Sequence, residues 1–166
     1  HAHTPELIRE LHRNQSELCQ RQSSRFLKEV PKKNNRILHF SAGRSLYTDI
    51  FSQRCTHLYI IDLVPSFRIW AESQSELNVI EEKDIQNDTY IDAFDVIILP
   101  NVVNRLSSIK STLLDCSRIL KQDGILIFET PLTTLEEVKA GHFGHEEINF
   151  FSENSLKQLL SKQKNF

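Results

Sequence analysis

Phe94 to Pro131, FDVIILPNVVNRLSSIKSTLLDCSRILKQDGILIFETP, constrains the fold more than any other part of the chain, because it spells a complete strand, helix, turn and strand. Phe94 to Leu99 is apolar apart from Asp95, rich in β-branched residues and stopped by Pro100, the pattern of a strand buried on both faces. From Ser107 to Leu120, the residues Ile109, Leu113, Leu114, Cys116 and Leu120 recur at helical spacing and form an apolar face that needs a sheet to cover it. Lys121-Gln122-Asp123-Gly124 then closes the helix, with a cation at the negative end of the dipole and a glycine able to turn left-handed. A second apolar run, Ile125 to Phe128, follows at once. A strand that returns parallel through a helix crosses over right-handed, so this is a βαβ unit of an α/β fold.

The flanking segments extend that pattern. Residues 1–31 form an N-terminal helical segment, in which Leu7, Ile8, Leu11, Leu18, Phe26, Leu27 and Val30 line one face and Thr4-Pro5 supplies a helix start. It either caps a cofactor cleft or packs on the sheet or a partner. Residues 32–166 form the α/β domain. Arg36 to Phe40 reads as a strand, Leu46 to Phe51 as a helix, and His57 to Ile61 as a second strand ended by Asp62. Ser66 to Ala71 predicts a helix with Trp70 on the sheet, and Leu77 to Ile80 a short third strand. After the central unit come a loop at Gly141 to His145 and a helix at Asn154 to Leu160. This alternation predicts a doubly wound parallel sheet. Strand five would lie at its edge, where a partner chain or a further segment of this one is expected to cover it.

Composition narrows the function classes. A chain of 166 residues, 39% hydrophobic and 25% charged, holds one substantial core. A net charge of -2 argues against nucleic acid, whose phosphates favour a basic surface. No apolar run approaches the ~20 residues of a membrane span, and the first residues carry no signal-peptide pattern, so a reducing cytoplasm is expected. Cys19, Cys55 and Cys116 are odd in number and widely spaced, which predicts unpaired thiols. His142, His145 and Glu146 do not form a recognisable zinc pattern, so no metal is expected. The chain lacks methionine, begins His-Ala-His and stops soon after an amphipathic segment, so it is expected to be part of a longer protein, truncated at the C-terminus. A homo-oligomer or further domains of that protein are the expected macromolecular partners.

In such sheets ligands bind at the carboxyl ends of the strands, beside the switch in strand order. His39, Ser41, Gly43 and Ser45 follow or end strand one, Asp62 and Leu63 end strand two, and Asp84 and Ile85 follow strand three. Leu99 ends strand four, and Pro100 to Arg105 follow it. An acid after strand two is placed for ribose hydroxyls, and the turn after strand one offers backbone N–H groups.

The order of these segments resembles the class I S-adenosylmethionine-dependent methyltransferases, especially the ubiquinone-biosynthesis O-methyltransferase group. Ile37-Leu38-His39-Phe40-Ser41-Ala42-Gly43-Arg44-Ser45 stands in place of the glycine-rich first motif, and Ile60-Ile61-Asp62-Leu63-Val64-Pro65 resembles the second. Lys83-Asp84-Ile85 is similar to the third motif, and Phe94-Asp95-Val96-Ile97-Ile98 with Asn101-Val102-Val103 to the fourth. Arg118-Ile119-Leu120-Lys121-Gln122-Asp123-Gly124 resembles the corner that the family writes RVLKPGG, and His145 with Asn149-Phe150-Phe151-Ser152 its late segment.

The resemblance implies a Rossmann-like sheet, here without the family's final β-hairpin, and S-adenosylmethionine as cofactor. It implies cofactor contacts at His39, Ser41, Gly43, Ser45, Asp62, Leu63, Asp84, Ile85 and Leu99, with Asp62 on the ribose and Asp84 and Ile85 at the adenine. The first motif departs from the pattern of one acid and three glycines: His39, Ser41, Gly43 and Ser45 occupy those places, and only Gly43 is retained. Each added Cβ restricts the turn, and a neutral imidazole does not reproduce a carboxylate. Asn101 and Arg105 stand where relatives often have an acid and a histidine.

Two functions follow. One is methyl transfer to oxygen or nitrogen of a small molecule or glycan, with His145 either a general base or a loop histidine. The other is a catalytically inactive, methyltransferase-like scaffold or oligomerisation module. A nucleotide-binding oxidoreductase fits less well, because the first turn lacks GxGxxG.

Overall fold

The structure is a computed structural model that describes residues 35–41, 46–53, 55–74, 77–141 and 147–161, with positions 21, 24, 25, 28 and 30. The greater part of the expected N-terminal helix, the first-motif residues Gly43 and Ser45, and His145 lie outside the described residues.

Five parallel strands carry the fold: β1 Arg36–Ser41, β2 His57–Asp62, β3 Asn78–Val79, β4 Phe94–Pro100 and β5 Leu120–Glu129. Their order is β3-β2-β1-β4-β5. The chain therefore winds outward from β1 to β3, crosses back to β4 and continues to β5, which places the switch point between β1 and β4. The strands predicted by apolar runs are all present, although β3 is reduced to two residues.

Alternating side chains build two layers. On one face Leu38, Phe40, Ile61, Ile97 and Leu99 pack with Ile85 and with Cys116 and Ile119 of α3, the helix Ile109–Ile119. On the other, Ile37, Ile60, Val96 and Ile98 meet Tyr47 and Phe51 of α1, the helix Leu46–Ser52. Phe40, Phe51 and Ile97 are fully buried, each contributing about 1.5–3 kcal/mol of hydrophobic stabilisation. Helix α2, Pro65–Glu72, lies beside β2 and β3, with Phe67 and Ala71 buried.

Asp95, the polar interruption in the β4 run, sits where the register to β5 shifts between Phe94 and Val96. Its carboxylate accepts the Arg36 amide at 2.8 Å and pairs with Lys121 at 2.6 Å. Burial opposes its ionisation, but these donors outweigh that effect and hold its carboxyl below the usual aspartate range.

The corner after α3 differs from the expectation. Leu120 already pairs with Phe94, so β5 begins at the end of the helix, and Gly124 is not among the described residues with positive φ. Glycine is needed there for space: a Cβ would lie 2.7 Å from Leu120 Cγ and 2.9 Å from the Lys121 carbonyl oxygen. Among the described residues the left-handed glycine is Gly141, at φ 71, which ends the unpredicted helix α4, Leu135–Ala140. Thr134 and Glu137 form a capping box at its start. Helix α5, Glu153–Ser161, corresponds to the expected late helix.

The last described strand, β5, forms an edge of the sheet, and Ile125, Leu126, Ile127 and Phe128 are half-buried. Among the described residues no helix is long and apolar enough to cross a membrane. Cys116 is buried and Cys55 half-buried, both as free thiols. Burial pushes both pKa values up, that of Cys55 to about 11, so neither is a ready nucleophile at neutral pH.

Candidate cofactor site

The carboxyl ends of β1, β2 and β4 converge at the switch point. Ser41 and Asp62 end their strands in register with each other, and the Leu63 amide donates to the Ser41 carbonyl at 2.9 Å, tying the two ends together. Asp62 is half-buried, and its Oδ1 accepts the Val64 amide at 2.6 Å. This aspartate turn fixes the carboxylate at the strand end, where a vicinal diol would find a charged acceptor. Leu63 is half-buried against the core, whereas Leu99 is fully buried within it.

His39 takes a different environment. It lies between Ile60 and Ile98 in the sheet, has no exposed surface, and meets Phe51 edge-on at 5.2 Å and Tyr47 at 6.4 Å. Among the described residues neither ring nitrogen has a hydrogen-bond partner. Desolvation lowers its pKa from 6.5 to about 3, so the ring is neutral at physiological pH.

The acids after β3 are engaged locally. The Glu81 amide donates to Asp84 Oδ2 at 2.8 Å, and the two residues form a capping box on the 3-10 helix Glu82–Gln86. Glu81 pairs with Lys83 at 2.7 Å and with Arg68 at 3.4 Å. The Lys83 hydrogen bond and charge hold the Glu81 carboxyl below its ordinary pKa. Ile85 is fully buried, and its carbonyl accepts Nη2 of Arg118, so α3 anchors this corner from below. Thus Ser41, Asp62 and Leu63 belong to one strand-end cluster, His39 is turned away from it into the core against α1, and Asp84 and Ile85 belong to a separate anchored turn.

The β4 end carries Asn101, one of two described non-glycine residues with positive φ, at 54°. Asparagine tolerates this conformation better than most residues, and the Asn101 amide donates to the Glu129 carbonyl at 2.8 Å. Beyond it, sequence reasoning missed a polar clasp. The Asn104 carbonyl accepts the amides of Ile148 and Asn149, both at 2.9 Å, and its side chain donates to Glu147 at 2.9 Å. Asn149 returns a side-chain bond to the Leu106 carbonyl at 2.7 Å. The clasp holds residues 147–149 against the loop after β4. Its sequence signal was the asparagine pair Asn101 and Asn104 directly after a proline-terminated strand. Among the described residues no cluster of three or more histidines, cysteines or acids is arranged to hold a metal ion.

A family model described as a methyltransferase domain matches residues 11–166. No curated protein matches the sequence. Among solved structures, the YcgJ protein of Bacillus subtilis superposes with a TM-score of 0.71 at 16% identity, covering 86% of this chain and 67% of that one. A SAM-dependent methyltransferase from Archaeoglobus fulgidus gives 0.68 at 16% identity, covering 88% and 67%. The CurJ carbon methyltransferase gives 0.58 at 20% identity, covering 81% of this chain but 43% of that chain. With the family model spanning nearly the whole sequence and this strand order beneath it, the chain belongs to the methyltransferase domain family, in its class I, Rossmann-like form.

Proposed function

We propose that this domain binds S-adenosylmethionine at the carboxyl ends of β1, β2 and β4 and transfers its methyl group to an acceptor. The observation that carries this reading is the Asp62 carboxylate, fixed at the end of β2 in register with the end of β1, beside the switch point. The site's chemistry fits the nucleoside half of the cofactor: Asp62 would hold the ribose hydroxyls, and the turn after β3 would flank the base. When bound, the cofactor supplies an electrophilic methyl group on a sulfonium. The chain's own residues would orient the two reactants, which supplies much of the rate in such a displacement. Asn101 and the clasped segment 147–149 would border the acceptor side. His145, which precedes that segment, would take the proton from a hydroxyl or amine of a small molecule or glycan.

A specific observation favours a second reading, an inactive scaffold. His39 is buried and neutral where the family's first motif has an acid, and Glu81 and Asp84 are already bound to near neighbours. Calorimetric titration with S-adenosylmethionine and S-adenosylhomocysteine separates the two. Binding that weakens at least tenfold in Asp62→Asn supports the first. Absence of binding at millimolar ligand supports the scaffold.

A further inference from the structure

The turn after β3 takes its place from outside the sheet. β3 pairs with β2 through two residues, the Ile80 amide adds one bond to the Ile60 carbonyl at 2.9 Å, and residues 80–93 form no strand. The 3-10 helix Glu82–Gln86 closes its own start through the Glu81–Asp84 capping box. A helix end leaves its last carbonyls without internal partners, and here they go to Arg118, in the last turn of α3. Nη2 of Arg118 donates to the Ile85 carbonyl, and Nη1 donates to the Asn87 carbonyl and to Asp88 Oδ1, each at 3.4 Å. The Asp88 side chain is 94% exposed, so that ion pair is screened and the two carbonyls are the anchoring partners. Thr112 of the same helix adds a bond of 3.5 Å to Glu82.

Arg118 therefore grips the residue that directly follows Asp84. The buried Ile85 side chain fixes the depth of the turn, and the guanidinium, a planar fork across two carbonyls, fixes its orientation. We propose that Arg118 is a positioning residue for base recognition: it holds the Asp84–Ile85 turn so that the Asp84 carboxylate accepts a hydrogen bond from the exocyclic amine of a 6-aminopurine. The Glu81 amide takes one acceptor site on Oδ2 and orients the group, while a carboxylate has about four such sites. A carboxylate accepts and does not donate, so it favours a 6-amino group and repels a 6-oxo oxygen. A well-placed bond to a charged acceptor contributes about tenfold or more to affinity, and a turn free to pivot forfeits much of that.

This inference rests on the cofactor reading above, and one pair of titrations distinguishes failure of either. S-adenosylhomocysteine and S-inosylhomocysteine, in which a 6-oxo group replaces the 6-amino group, are titrated by calorimetry into the wild-type chain, Arg118→Gln and Arg118→Lys. The wild type is expected to favour the adenosyl compound by at least about fivefold, and a smaller preference overturns the inference while leaving the cofactor reading standing. If neither compound binds the wild type, the cofactor reading itself fails, and this inference with it. In Arg118→Gln the preference is expected to fall at least about threefold, and in Arg118→Lys at least about twofold, because an ammonium does not span both carbonyls. Asp62→Asn is expected to weaken both compounds and keep their ratio, so the ratio separates positioning of the base from a general loss of affinity. A folded Arg118→Gln, judged by circular dichroism, that retains the wild-type ratio overturns the role of Arg118. If that variant does not fold, Arg118→Lys decides on the same terms. Failure of both to fold makes Arg118 a support of the whole chain rather than of this turn, and overturns the proposal as well.

Discussion

Replacing His39 by leucine tests the packing argument where it is most exposed to refutation. The wild-type ring is fully buried and its two nitrogens have no partner among the described residues, and an unsatisfied buried polar group costs about 1–3 kcal/mol. Leucine removes that cost but gives up an edge-on aromatic contact with Phe51, worth about 0.5–1.5 kcal/mol. At pH 7.5 the variant is therefore expected to be more stable by about 1 kcal/mol. The larger effect is in the pH dependence. The pKa is about 3 in the folded chain against an ordinary histidine value of 6.5, so between those values the unfolded chain binds the additional proton. Stability that is full above pH 6.5 is lost as pH falls toward 3, at up to about 1.4 kcal/mol per pH unit and about 5 kcal/mol in all.

His39→Leu lacks this loss, while every other titrating group is common to both proteins. Urea unfolding followed by circular dichroism at pH 7.5, 6.5, 5.5 and 4.5 should show the variant's advantage widening below pH 6.5. By pH 4.5 it should have grown by about 3 kcal/mol. A stability difference that stays constant across the series would refute the buried, neutral histidine.

Other substitutions probe particular supports. Gly124→Ala places a methyl within 3 Å of Leu120 and of the Lys121 carbonyl, and should cost about 1–3 kcal/mol in thermal unfolding. Asn101→Gly should leave stability unchanged or raise it slightly, whereas Asn101→Val should lower it by about 1–2 kcal/mol, since φ is 54°. Asn149→Ala removes the bond to the Leu106 carbonyl and should cost about 1 kcal/mol while accelerating amide exchange at Ile148 and Asn149.

The sheet was legible because β1, β2, β4 and β5 each contain a run of apolar residues, and the burial of β1 and β4 on both faces leaves little choice of partner. The strand of two residues, Asn78–Val79, carries too little pattern to fix its limits. Helix α4 escaped because none of its residues is buried, and its start depends on a capping box rather than an apolar stripe. Gly124 was identified as a corner residue for the wrong reason: sequence suggests a free φ, while the constraint is contact with Leu120 four residues earlier. The position of Asp62 at the end of β2 was readable from the apolar run before it. The Asn104–Glu147 and Asn149–Leu106 pairings join residues more than 40 positions apart, which no local pattern encodes. The sequence places His39 inside an apolar strand, but its contact with Phe51, and the lack of a partner for its nitrogens among the described residues, depend on how α1 lies against β1.

The central claim is that the fixed Asp62 carboxylate makes the end of β2 a nucleoside site. Asp62→Asn is the direct probe, because an amide oxygen still accepts the Val64 amide and preserves the turn while removing the charge. Calorimetric titration of S-adenosylhomocysteine into both proteins should give a dissociation constant on the order of micromolar for the wild type and at least about tenfold weaker binding for the variant, at equal melting temperature. Equal affinity in the two proteins, or no heat and no thermal shift at millimolar ligand in the wild type, would contradict the account.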